Sequence, residues 1–198
     1  MPPTNRHQAP SPRDMRKRLI SAIIEEDGGR FEGKTRLFKV YYRAHTVFAE
    51  RFEGLLSVPH GVVRMDEGPG IDDHEQILAE MESEGTLRIT RCPKGRHLQE
   101  VFELCDSAAA VNASADERKA INWALGYVSH SAREASRKSH KDSRSWRSAS
   151  NGQSLDIYLD TLTDKELREE QRRLDEAEAF INDALAPPGP RPPRQAGR

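Results

Sequence analysis

Ser139-His140 is where this chain comes nearest to a catalytic pair. A serine nucleophile needs a base within hydrogen-bond reach and a third group to orient that base. Adjacency in sequence supplies neither, and no Gly-x-Ser-x-Gly turn occurs. A metal needs spaced ligands, and His130, His140 and Asp142 match no such spacing. His74-Glu75 continues as Gln76-Ile77-Leu78 without a second histidine. P-loop and dinucleotide glycine fingerprints are absent. Cys92 and Cys105 are too few for a disulfide framework and read as small buried hydrophobes. The expectation is a protein that is not an enzyme, with no catalytic residues, no metal and no cofactor. His140 reads instead as a cap for the free carbonyls of a helix C-terminus.

The chemistry of binding is better represented. Tyr41 and Tyr42 are neighbours on a predicted helix, so one faces the core while the other points aside. Lys39 and Arg43 stand four residues apart and share a polar face. Lys39, Tyr42 and Arg43 are therefore candidates for a surface that touches a partner. A second candidate is the basic stretch Arg133, Arg137, Lys138, Lys141, Arg144 and Arg147, set against Glu134 and Asp142. Arg133, Arg137 and Lys141 are the residues expected to meet a partner there. An acidic protein face suits this stretch better than phosphate, because the formal net charge is -1 and aromatic interleaving is sparse. Trp146 is expected to bury its ring and find an acceptor for its N–H.

Several elements must position these residues. Met15, Leu19, Ile20, Ile23 and Ile24 recur at helical spacing and predict a helix from about Asp14 to Gly28-Gly29. Leu37, Phe38, Tyr41, Ala44, Val47 and Phe48 predict a second helix over residues 35–51. Residues 55–58 and 62–65 are β-prone and flank Pro59-His60-Gly61, which suggests a small hairpin. Glu67-Gly68-Pro69-Gly70 reads as a break in which the glycine–proline pair sets the angle between elements. Asp72 with Glu75 predicts a capped helix burying Ile77, Leu78 and Met81. Residues 86–91 and 99–104 predict two strands around Pro93-Lys94-Gly95. Ser114 with Glu117 opens a long helix carrying Ile121, Ala124, Leu125 and Val128, which continues through Ala135 and fades near Ser139. Residues 143–153 read as a loop and residues 155–159 as a short element. Thr163 with Glu166 caps a last, highly charged helix with a narrow stripe of Leu167, Leu174, Ala177 and Ile181.

Charged residues make up 32% of the chain and apolar residues 35%, with a mean hydropathy of -0.81. Part of the chain is therefore expected outside any packed core. Residues 1–12 carry four prolines and residues 187–198 are mostly Pro, Arg and Gly, so both read as disordered tails. The domain proper is expected over residues 13–160, with the charged helix over 161–186. The fold class that follows is mainly α (α+β): a compact helical domain with one or two small β-hairpins. No long apolar run predicts a membrane partner, and the N-terminus lacks the apolar stretch of a signal peptide. The expected compartment is the cytoplasm.

In order and spacing, Phe38-Lys39-Val40-Tyr41-Tyr42, then Gly68-Pro69, then Ser139-His140 with Trp146, resemble the Panacea domain. This is the SocA-like antitoxin family of bacterial and phage toxin–antitoxin pairs. The resemblance runs from about residue 15 to 160 and makes Tyr41, Gly68, Pro69, Ser139, His140 and Trp146 its signature. Glu67 stands where many members carry tyrosine, and Gly70-Ile71-Asp72 where many continue with Val-Pro. The resemblance implies a mostly helical domain that neutralises a cognate protein toxin encoded nearby by direct binding. A protease or chaperone as further partner, and a homo-oligomer through the last helix, are left open. The alternative is a winged-helix-like DNA-binding regulator of a phage or mobile element, motivated by the helix from Asp72 and the hairpin after it. Against nucleic acid, that helix carries Asp72, Asp73, Glu75, Glu80, Glu82 and Glu84, which repel phosphate.

Overall fold

A computed structural model describes residues 10–52, 61–95, 97–105 and 113–185. Ser11 caps the first helix, α1 (Pro12–Glu26), in a reciprocal box with Asp14. Proline at the first helical position starts α1 two residues before Asp14, because its missing N–H would be unbonded there anyway. The tail expected over residues 1–12 thus ends earlier, and most of it, like residues 187–198, lies outside the described residues. Strand β1 (Arg30–Glu32) follows, then α2 (Lys34–Arg51). Ile20, Ile23 and Ile24 of α1 and Leu37, Val40, Tyr41 and Ala44 of α2 are buried in one core with Ile121 and Ala124. α2 sits at the centre.

β2 (Val62–Met65) pairs antiparallel with β3 (Gly68–Ile71), with Val62 opposite Ile71 and Met65 opposite Gly68. Of the expected break at Glu67-Gly68-Pro69-Gly70 only Glu67 is turn, and the other three residues are strand. Proline fits because a two-stranded ribbon has an edge where no N–H is required. The hairpin imagined between residues 55–58 and 62–65 has its first strand outside the described residues, and β2 has a different partner. α3 (His74–Ser83) begins after Asp73, which adopts left-handed geometry with φ 53° and makes no side-chain cap. The expected Asp72–Glu75 box does not form. Instead Arg16 donates to the Asp72 carbonyl at 3.2 Å.

β4 (Leu87–Lys94) and β5 (His97–Leu104) form the expected hairpin, and β1 adds to β5 to complete a three-stranded antiparallel sheet. Phe31 and Ile89 both lie opposite Phe102, which carries this sheet into the core. The outer half of the hairpin faces solvent on both sides. Cys92 is consequently exposed and Cys105 only half-buried, contrary to the buried pair expected.

The expected long helix after Ser114 is two helices. α4 (Ala115–Tyr127) keeps the Ser114–Glu117 box. The chain then turns extended at Val128, and Ser131 recaps α5 (Ala132–Asp142) by accepting from the Glu134 N–H. Ser143 caps a further short helix, α6 (Arg144–Ser148), inside the stretch read as loop. α7 (Ile157–Thr161) is the short element near residue 155. The mainly α (α+β) class is what the structure has: eight helices and two small antiparallel sheets among the described residues.

The chain divides into two compact units, Met1–Thr161 and Leu162–Arg198. The second contains α8 (Asp164–Leu185), capped by Thr163 and Glu166 as expected. Among the described residues no helix is long and apolar enough to cross a membrane.

Candidate functional site

The three sequence patches converge on one locus. Lys39 on α2 is only 2% exposed, and its Nζ donates to the Pro69 carbonyl at 2.8 Å. Gly68 holds φ +102°, and a Cβ there would lie 2.5 Å from Ser139 Oγ, 3.0 Å from His140 Cδ2 and 3.1 Å from Lys39 Cε. The β2–β3 ribbon therefore presses backbone directly onto α5, which only glycine permits. His140 stacks on Trp146 with centroids 3.9 Å apart and planes 7° from parallel. The Trp146 N–H finds the expected acceptor, the Met65 carbonyl at 2.8 Å, although the ring is only partly buried. Arg64 donates from Nε to the Trp146 carbonyl at 3.2 Å, and its guanidinium carbon stands 4.7 Å from the Trp146 ring centre.

A second knot ties the same helices from behind. Asp160 on α7 accepts from Tyr42 Oη at 2.9 Å, Ser143 Oγ at 2.8 Å, Ser145 Oγ at 2.6 Å and the Ser145 N–H at 2.8 Å. Burial, then the neighbouring Asp160 charge, raises the Tyr42 phenol well above its usual range. Tyr41 lies wholly in the core, where burial raises its phenol likewise.

The electrostatics follow from burial. The Lys39 ammonium is pushed down to about 7 by desolvation, against the opposing pull of the Glu67 carboxylate. His140 is lowered first by desolvation and then by the nearby Lys39 charge. Tyr127, on the far side of Lys39, is pushed up to about 12 by burial and by its bond to Asp142. Between α2, α4 and α5 lies a cavity of about 20 Å³ lined by Lys39, Tyr42, Arg43, Tyr127, Lys138 and Asp142. It has room for a water and not for a substrate.

The hydroxyls beside His140 are already committed. Ser136 Oγ donates to the Glu67 carbonyl at 2.8 Å and stands 3.5 Å from His140 Nε2, too long for an activating bond. Ser139 Oγ donates to the Ser136 carbonyl at 2.8 Å. Among the described residues no three His, Cys, Asp or Glu side chains gather as metal ligands. The locus does the work of a keystone, fixing α5 and α6 against α2. His140 does not cap its own helix; Arg147 does, donating to the Lys141 carbonyl at 2.6 Å.

No family model, curated protein or solved structure matches this chain. Lys39 and Tyr42 cannot touch a partner: both are buried, since α2 is enclosed on nearly every side. Arg43 is engaged within the fold, with Thr46 at 2.9 Å, Glu50 at 3.0 and 3.2 Å, and the Tyr127 ring beneath its guanidinium at 4.8 Å. Arg133, Arg137 and Lys141 are exposed, and none makes an ion pair with a described residue. At four-residue steps they lie within an arc of about 80° on the outer side of α5. The opposite side carries the buried Ala135, Ser136 and Ser139.

The sequence reading missed an adjoining feature. Trp123 on α4 is 55% exposed, and the Arg51 guanidinium lies 3.8 Å from its ring centre. Lys138 stands 3.3 Å from the centre of the Tyr127 ring. The available signal was that Trp123 and Tyr127 fall outside the Ile121, Ala124, Val128 stripe. Elsewhere, the acidic face of α3 is matched by α1, with Arg13–Glu80 at 3.0 Å, Lys17–Glu80 at 2.9 Å and Lys17–Glu84 at 2.6 Å. In the open groove between the start of α2 and the β4–β5 hairpin, cations are also matched, Arg91–Glu100 at 3.4 Å and Lys94–Glu32 at 3.9 Å.

Trp146→Ala is expected to lower unfolding free energy by about 3 kcal/mol, through the lost indole packing and the orphaned Met65 carbonyl. Equilibrium urea denaturation reads this directly. An unchanged midpoint would remove Trp146 from the keystone.

Proposed function

We propose that this protein is an antitoxin of the Panacea type, acting in the cytoplasm to occlude a cognate protein toxin encoded beside it. One observation supports the reading above the others: α5 is clamped on its inner side by the Gly68–Trp146 keystone and presents unengaged Arg133, Arg137 and Lys141 on its outer side. A rigid helix with unspent cations is suited to an acidic protein face, because ordering it on binding loses little entropy. Exposed Trp123 and Tyr127 add the aromatic anchors common at energetic centres of interfaces. The committed serine hydroxyls argue for binding over bond breaking. The rival reading, a DNA regulator, gains nothing from α3, which exposes Glu75 and Glu82 and whose neighbouring cations Arg13 and Lys17 are taken up by Glu80 and Glu84.

Arg137→Glu with Lys141→Glu is expected to abolish growth rescue when the adjacent reading frame is expressed. Thermal stability should stay nearly unchanged, since exposed substitutions typically shift it by about 0.5 kcal/mol or less. Rescue retained by the folded double variant would remove α5 from the contact. A neighbour harmless when expressed alone would remove the antitoxin reading itself.

A further inference from the structure

We infer that α8 is a self-association element, pairing in parallel with α8 of a second copy of this chain. The helix is 22 residues long, about 33 Å at 1.5 Å per residue. Leu167, Leu174 and Ile181 recur every seven residues, the spacing of one seam position in a two-stranded coiled coil. Leu174, Phe180, Ile181 and Leu185 are all more than half exposed. Four large apolar side chains on one short helix are more than a solvated helix ordinarily carries.

The flanking residues identify the occupant as a second copy. With Leu174 and Ile181 at the seam, Arg173 and Phe180 precede it and Glu178 and Leu185 follow it on the other flank. In a parallel, in-register pair each preceding flank residue faces the residue five positions on in the other chain. Arg173 then meets Glu178 of the second copy, and Phe180 meets Leu185 of the second copy, each contact occurring twice by symmetry. Charge meets opposite charge and apolar meets apolar in one register. Antiparallel pairing sets like flank against like and loses both matches. Within one helix Lys165 pairs with Glu169 and Arg172 with Glu176, both at 3.8 Å, and Arg173 stands 3.5 Å from Glu170, a contact that it exchanges for Glu178 of the second copy on pairing. Glu170 falls at the second seam position of the first heptad and Ala177 at that of the next. The packed zipper is therefore short, spanning residues 173–185, and the association weak and reversible.

Sedimentation equilibrium of the full chain, from micromolar to millimolar concentration, tests this without any toxin. The wild type is expected to show a reversible monomer–dimer equilibrium. Leu174→Glu should leave only monomer. Arg173→Glu should raise the dissociation constant about tenfold, through two like-charged contacts. Adding Glu178→Arg should restore it, which only the parallel register predicts. Circular dichroism keeps loss of helix separate from loss of pairing. A monomer at every concentration, or a dimer indifferent to Leu174→Glu, overturns the inference. A dimer that the charge swap does not rescue overturns the register. None of these outcomes bears on toxin binding through α5.

Discussion

Gly68→Ala is expected to destabilise the protein by about 3–5 kcal/mol. Two effects add. The glycine holds φ +102°, where an L side chain is strained, at about 1–3 kcal/mol. The new methyl would also lie 2.5 Å from Ser139 Oγ, and forcing an extra carbon into a packed contact commonly costs about 1–3 kcal/mol. Gly152, at φ +78° with nothing within 4 Å of a built Cβ, provides the control. Gly152→Ala should show the backbone term alone, about 1 kcal/mol. Removing the Ser139 hydroxyl as well should recover part of the Gly68→Ala loss in a double-mutant cycle. Urea denaturation of the wild type, the three single variants and the double variant measures all of it. Equal losses at Gly68 and Gly152 would mean that the ribbon does not bear on α5.

The second large effect concerns Lys39. Its proton is released near 7 in the fold and near 10.5 in the unfolded chain. Between those values the unfolded state holds more protons, so stability rises with pH across that window. The buried ammonium opposes folding by up to about 4 kcal/mol at its acidic end. His140, lowered for the same reason, extends the trend below its ordinary value of 6.5. The tyrosines act oppositely. Tyr41 and Tyr42 keep their protons in the fold above pH 10, so stability falls again there and a maximum is expected near pH 9–10. Lys39→Met should flatten the rise between pH 7 and 9.5. It should also stabilise the protein at pH 7 by about 2 kcal/mol, the removed penalty exceeding the orphaned Pro69 carbonyl. Chemical denaturation of both proteins at several pH values tests this. A parallel pH dependence in the two would show that Lys39 titrates as it does in water.

How much of this was legible varies by element, for identifiable reasons. The Ser114–Glu117 and Thr163–Glu166 boxes and the Leu37–Phe48 stripe carry local signals, and those helix starts stand as read. The break between α4 and α5 was hidden because Ala132 and Ala135 prolong the apolar period while Ser131, which recaps the chain, resembles any surface serine. β1 is too short for an alternation pattern and exists only because β5 offers an edge. Gly68-Pro69 reads as a break because both residues are poor strand formers, and only the absence of a required N–H makes a strand there acceptable. Gly68, Pro69, Ser139, His140 and Trp146 come together in space, while Tyr41 lies apart in the core against His45, and Lys39 and Tyr42 are buried rather than at the surface. Helical spacing gives a residue's side of the helix but not whether α4, α5 and α7 close over it. Arg133, Arg137 and Lys141 were legible as exposed because nothing apolar shares their side of α5.

Direct titration of the purified chain with the purified product of the adjoining reading frame tests the central claim most closely. The account predicts saturable binding that weakens with added salt and falls at least about 100-fold with Arg137→Glu and Lys141→Glu together. Absence of binding, or equal affinity for the reversed variant, would contradict it.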